Sequence, residues 1–175
     1  KWSRILHAAI AQAVNDNAKA KLSVKSACAL LLGLLRFGRR VHFAKYLKLL
    51  IGAKTGSWRK ALFLDLFLHD LHVALFRSRK PGFTSLFLNA GAHIQHHYFL
   101  NAKPIKDHAK IQNPNWYISA AIDPIKEMFE LYDSIVKEYL LLKDVEFIVA
   151  TGLSQRPYDR LKYYYRLKEH GDFLR

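Results

Sequence analysis

Apolar side chains recur at helical spacing through the first half of the chain. From Arg4 to about Ala20, Ile5, Leu6, Ala9, Ile10, Ala13 and Val14 follow that spacing, and Ser3 is placed to cap the helix they predict. Ser23 opens a second helix, Val24 to Phe37, which is apolar on nearly every side and is stopped by Gly38; this pattern predicts a buried element. Arg39 to Ile51 interleaves Val41, Phe43, Tyr46, Leu47 and Leu50 with Arg39, Arg40, Lys45 and Lys48, an amphipathic basic helix ended by Gly52. It is the stretch best suited to a membrane surface or a partner, although lysines laying their stems along apolar ground explain the same pattern. Ser57 is placed to cap a helix from Trp58 to about Arg77. Within it His69, Asp70 and His72 have the chemistry of metal ligands. Positions one or two apart do not share a helical face, so these three read as core or surface residues.

After the basic turn Arg77 to Gly82 the pattern changes. Ser85 to Leu88 is a short apolar run that predicts a buried strand, Asn89-Ala90-Gly91-Ala92 a turn, and Ile94 to Leu100 the start of a helix. A polar, proline-punctuated loop from Asn101 to Trp116 follows, long enough to suggest a functional loop. Asp123-Pro124 opens a helix whose apolar positions run from Ile125 through Met128, Tyr132 and Ile135 to Leu140. Val145 to Ala150 reads as a second buried strand, Thr151 to Ser154 as a turn, and Arg160 to Leu174 as a last helix. Strand, helix, strand in that order predicts a right-handed parallel crossover. The expected fold is therefore α/β: a helical, cap-like region over 1–82 and part of a parallel sheet over 83–175, in one domain or a fragment of a larger one.

Composition refines this picture. The chain has 175 residues, 51% hydrophobic and 24% charged, which predicts a folded protein of about one domain. Its 28 Lys and Arg against 14 Asp and Glu leave a formal charge of +14, attractive to phosphates, nucleic acid or an anionic membrane. Nucleic acid is disfavoured, since no zinc-finger spacing, aromatic RNA-binding motif or helix-turn-helix accompanies the charge. The single cysteine, Cys28, excludes an intramolecular disulfide and fits a reducing, cytoplasmic compartment. No apolar run approaches bilayer length, because Ala27 to Leu35 meets Arg36 at once, so no transmembrane segment is expected. Lys1 in place of an initiating methionine suggests a processed product or fragment.

The candidate chemistry lies in SLFLNAGAHIQHHYFL, residues 85–100. His93, His96 and His97 follow an expected strand end, where α/β sheets bind ligands, and i, i+3, i+4 spacing lets them share a helical face and one zinc ion. The order of this segment, the helix ELYDSIVKEYL and the run VEFIVATGLS resembles the alkaline phosphatase superfamily, in its type I phosphodiesterase and nucleotide pyrophosphatase branch. The resemblance covers about Phe83 to Asp159. It puts His96 at the histidine of that family's Asp-x-x-x-His metal motif, with Ala92 where the aspartate belongs; a second register puts Asn89 and His93 on the pair. Ala150 to Leu153 stand in place of the family's Ser-Asp-His-Gly, so both ligands of that motif are missing.

The resemblance implies a divergent, metal-dependent hydrolase of phosphate or sulfate esters, inactive if the lost ligands are not replaced. It implies zinc or manganese as cofactor and His96, His93, His97 and Asn89 as metal ligands. The nucleophile and substrate-binding residues are not assignable. The alternative readings are a non-catalytic module for an anionic ligand, such as a small molecule or saccharide phosphate, and a basic helical protein that binds nucleic acid or membrane surfaces.

Overall fold

The computed structural model describes residues 2–15, 23–151 and 155–156. Among them every regular element is helical. The order is α1 (Trp2–Asn15), α2 (Val24–Phe37), α3 (Phe43–Gly52), α4 (Trp58–Arg79), α5 (Ala90–Tyr98), the short α6 (Lys103–Lys106) and α7 (Pro124–Leu140), with 3-10 turns at Arg40–His42 and Phe99–Asn101.

The local signals account for several of these boundaries. Ser23 caps α2 by accepting from the Ser26 amide at 3.2 Å. Gly38 ends α2 with ordinary extended dihedrals, but a β-carbon there would lie 2.4 Å from the Leu34 carbonyl oxygen, so only glycine permits the closing approach. Asp123 caps α7 through the Lys126 amide at 2.9 Å, with Pro124 in the first turn where a missing N–H costs nothing. Ser57, by contrast, makes no capping bond, and α4 runs on to Arg79 before Lys80 turns it out with a left-handed φ of 46°.

The centre is α4, which packs against α2, α3, α5 and α7, while α1 packs on α2 and α5 on α7. Trp58, Leu62, Leu66, Phe67 and Val73 of α4 share one core with Tyr46 of α3, Ile94 and Tyr98 of α5, and Ile125, Met128, Leu131 and Ile135 of α7. A helix covered on several sides buries its polar residues as well: Asp65, His69 and Asp70 are inside. Each then needs a partner from a neighbouring helix.

The expected α/β architecture is overturned. Among the described residues there is no strand, hence no parallel sheet and no crossover. Residues 85–88 are irregular, with Leu86 and Leu88 packed on the helical core and Phe87 turned out to solvent. Their alternation thus serves one-sided packing against helices without any ladder. Residues 145–150 are irregular too; Phe147 stacks on Tyr139 with ring centroids 5.4 Å apart, while Ile148 and Val149 are exposed. β-rich composition describes how a side chain suits a pleated surface, and forms a strand only when a partner supplies N–H and C=O groups. The alkaline phosphatase-like fold, and the phosphate or sulfate ester hydrolase inferred from it, fall with the sheet. Gly152-Leu153-Ser154, the helix expected over Arg160 to Leu174, and the stretch from Asp16 to Ala20 lie outside the described residues.

Candidate metal centre

His69 and Asp70 are adjacent on α4 and so diverge by about 100° around its axis. Two different neighbours receive them. Asp70 points to the α3 side, where it accepts from the Arg39 amide (2.8 Å), the Tyr46 hydroxyl (2.8 Å) and His42 Nδ1 (2.7 Å). His69 Nε2 lies 3.0 Å from Glu138 Oε2 on α7. His42, in the 3-10 turn before α3, closes the ring, because its Nε2 meets Glu138 Oε1 at 2.8 Å. The Arg39 guanidinium also pairs with Glu138. Side chains of His42, His69 and Asp70 are at most 2% exposed, whereas Glu138 is 26% exposed and forms the solvent-facing side.

The electrostatics follow from this enclosure. Burial pushes the Glu138 carboxyl up, but hydrogen bonds from Arg39, His69 and His42 outweigh it and hold the group at about 2, so it is ionised. Burial lowers His69 below the ordinary imidazole range despite the hydrogen bond and charge of Glu138, so its ring is neutral. A neutral ring that donates from Nε2 to Glu138 keeps a lone pair on Nδ1, and that buried atom has no hydrogen-bond partner. Tyr46 is pushed far up by burial and the Asp70 charge, and remains a donor. The His42 ring has a carboxylate oxygen at each nitrogen.

One potential ligand atom each from His42, His69 and Asp70 lie within 4.8 Å of one another. Two buried imidazoles and a buried carboxylate form a donor set that could coordinate a divalent metal, with Glu138 in contact with both rings. His72, also on α4, turns elsewhere: its Nδ1 meets the Tyr139 hydroxyl at 2.7 Å and its Nε2 the Thr84 hydroxyl at 2.9 Å.

The histidines singled out in the sequence stand on α5. His93 and His97 are neighbours there, with ring centroids 4.8 Å apart; burial lowers both below the ordinary range, helped by the charges of His97 and His96 for His93 and by that of His96 for His97. His97 Nδ1 contacts the Tyr117 hydroxyl at 2.9 Å, and His96 faces Gln155 at 3.3 Å across a cleft of about 320 Å³. No carboxylate is hydrogen-bonded or ion-paired to these three among the described residues. Asn89 precedes α5 and makes no side-chain capping bond. That helix start is held by Asp65 of α4, which accepts from the Asn89 and Ala90 amides at 3.3 and 2.9 Å and from the Tyr132 hydroxyl at 2.6 Å. The Gly91 amide in turn donates to Tyr132 at 2.8 Å.

Two members of the buried centre, His42 and Glu138, escaped the sequence reading. Both carry a signal. His42 stands four residues before the buried Tyr46, and Glu138 three after Ile135 and beside Tyr139, so each places a polar group on the inward face of its helix.

Comparison with known proteins found no family model, no curated protein and no solved structure that matches the chain.

Proposed function

We propose that the protein is a helical binding module that holds one divalent metal ion in the His42, His69, Asp70 and Glu138 cluster and uses it to retain an anionic ligand. The convergence of two buried imidazoles and a buried carboxylate carries this reading. The unpartnered Nδ1 of His69 supports it, since a metal ion is a natural acceptor for a buried imidazole lone pair. A mixed nitrogen and oxygen donor set favours zinc over manganese. Two carboxylates neutralise a divalent ion, and Arg39 then adds a cation beside Glu138, at the side open to solvent. A small carboxylate or phosphate suits that charge balance better than a neutral ligand.

The test is calorimetric titration of chelator-treated protein with Zn²⁺ and Mn²⁺ in buffers of different ionisation enthalpy. Zinc should bind to the parent protein with a stoichiometry of one. His69→Ala and Asp70→Asn should each weaken zinc by roughly 100-fold or more, while His72→Ala changes it by no more than about threefold. Zinc binding that survives His42→Ala and His69→Ala together, or is absent from the parent protein, sinks the reading.

A further inference from the structure

Helix α3 has two apolar faces. Tyr46 and Leu49 turn inward to the core. Phe43, Leu47, Leu50 and Ile51, spaced i, i+4, i+7, i+8, form a second stripe that is 44%, 60%, 51% and 61% exposed. Arg40, in the 3-10 turn before α3, and Lys54, in the turn after it, flank the stripe along the chain, and Lys48 lies about 60° around the helix from Ile51. Lys45 lies on the other side, where it donates to Ser134 of α7. Helix α2 repeats the theme with Val24, Leu31 and Leu35 exposed at i, i+7, i+11. Between Asp16 and Asp65 the chain carries no aspartate or glutamate.

We infer that the outward stripe of α3 docks on an anionic lipid surface, lying in the plane of the headgroups with Phe43, Leu47, Leu50 and Ile51 inserted and Arg40, Lys48 and Lys54 on the phosphates. Charge complementarity selects this occupant. A second copy would bring the same cations face to face, and a purely apolar partner would leave them unpaired. The clefts of about 260 and 320 Å³ lie elsewhere, between α1 and α2 and beside α5. An interface of mixed apolar and basic residues on one helix is the pattern that partitions into a bilayer boundary. No helix among the described residues is long and apolar enough to cross the bilayer. The stripe shares no residue with the metal centre, whose side chains come from the turn before α3, from α4 and from α7.

The experiment is sedimentation of the full chain with vesicles of phosphatidylcholine plus phosphatidylserine, against vesicles of phosphatidylcholine alone, in rising salt. Binding should require the anionic lipid and weaken with salt. Leu47→Asn with Ile51→Asn should weaken it about tenfold or more. Lys48→Glu should cost roughly tenfold. Leu75→Asn, an exposed leucine on α4, should leave binding unchanged, with thermal melts confirming that all variants fold. Equal binding to both vesicle types, or undiminished binding by the α3 variants, overturns the inference. So does a dimer in light scattering that Leu47→Asn dissociates, or capture of a poly-glutamate peptide by the stripe without vesicle binding.

Discussion

The cluster on α4 and the histidines on α5 contain the same side chain and differ in everything around it. His69 is wholly buried, meets a carboxylate from α7, and has Asp70 beside it to recruit His42 from the turn before α3. His96 and His97 are exposed, and their contacts are a glutamine and a tyrosine. The α5 group is the denser one in sequence, yet the acidic groups that neutralise a cation gather around α4.

The sharpest test of this contrast is on the metal. Exchange of His93, His96 and His97 for alanine together should leave zinc affinity within about threefold, against the roughly 100-fold loss expected from His69→Ala. The reverse pattern in calorimetry would move the centre to α5. Stability should show the next largest difference. Asp70→Ala strands the Arg39 amide, the Tyr46 hydroxyl and the His42 ring, and should cost about 3–5 kcal/mol in urea unfolding. Asp65→Asn removes the carboxylate that caps α5 and should cost about 1–3 kcal/mol, with a loss of helical circular dichroism if α5 frays. A neutral result there would mean that Tyr132 suffices to hold the helix start.

Acid should also separate the two regions. Folding depresses Glu138 from its ordinary 4.5 to about 2, so its contribution is present above about 4.5 and is lost as pH falls toward 2. In metal-free protein the urea midpoint should fall across that window, and Glu138→Gln should flatten the fall. The smallest effect belongs to His97→Ala, which removes an exposed hydrogen bond with Tyr117 and the ring contacts with His93 and Tyr98, and should change stability by no more than about 0.5 kcal/mol.

Much of the helical framework was legible from local signals. Ser23 and Gly38 bound α2, Asp123 and Pro124 open α7, and Gly52 is the last residue of α3. The two apolar runs at 85–88 and 145–150 were misread because a short apolar segment has the same composition whether it pairs in a sheet or lies across helices. The site was half legible. His69 and Asp70 stood out as ligand types, but their divergence on α4 argued against a shared centre, and that argument holds within one helix. It says nothing of what neighbours bring, and here the turn before α3 brings His42 to Asp70 and α7 brings Glu138 to His69.

The sequence alone determined the order of the main helices, the basic charge and the acid-free stretch between Asp16 and Asp65. Caps, helical periodicity and composition act over a turn or two of chain, so they are written locally. Only the tertiary structure decided that no strand forms among the described residues, and that His42, His69, Asp70 and Glu138 meet. The contacts that assemble the cluster span 28, 69 and 96 residues of chain. Nothing in a single helix specifies which distant group will fill the space beside it; that choice belongs to the packing of α3 and α7 against α4.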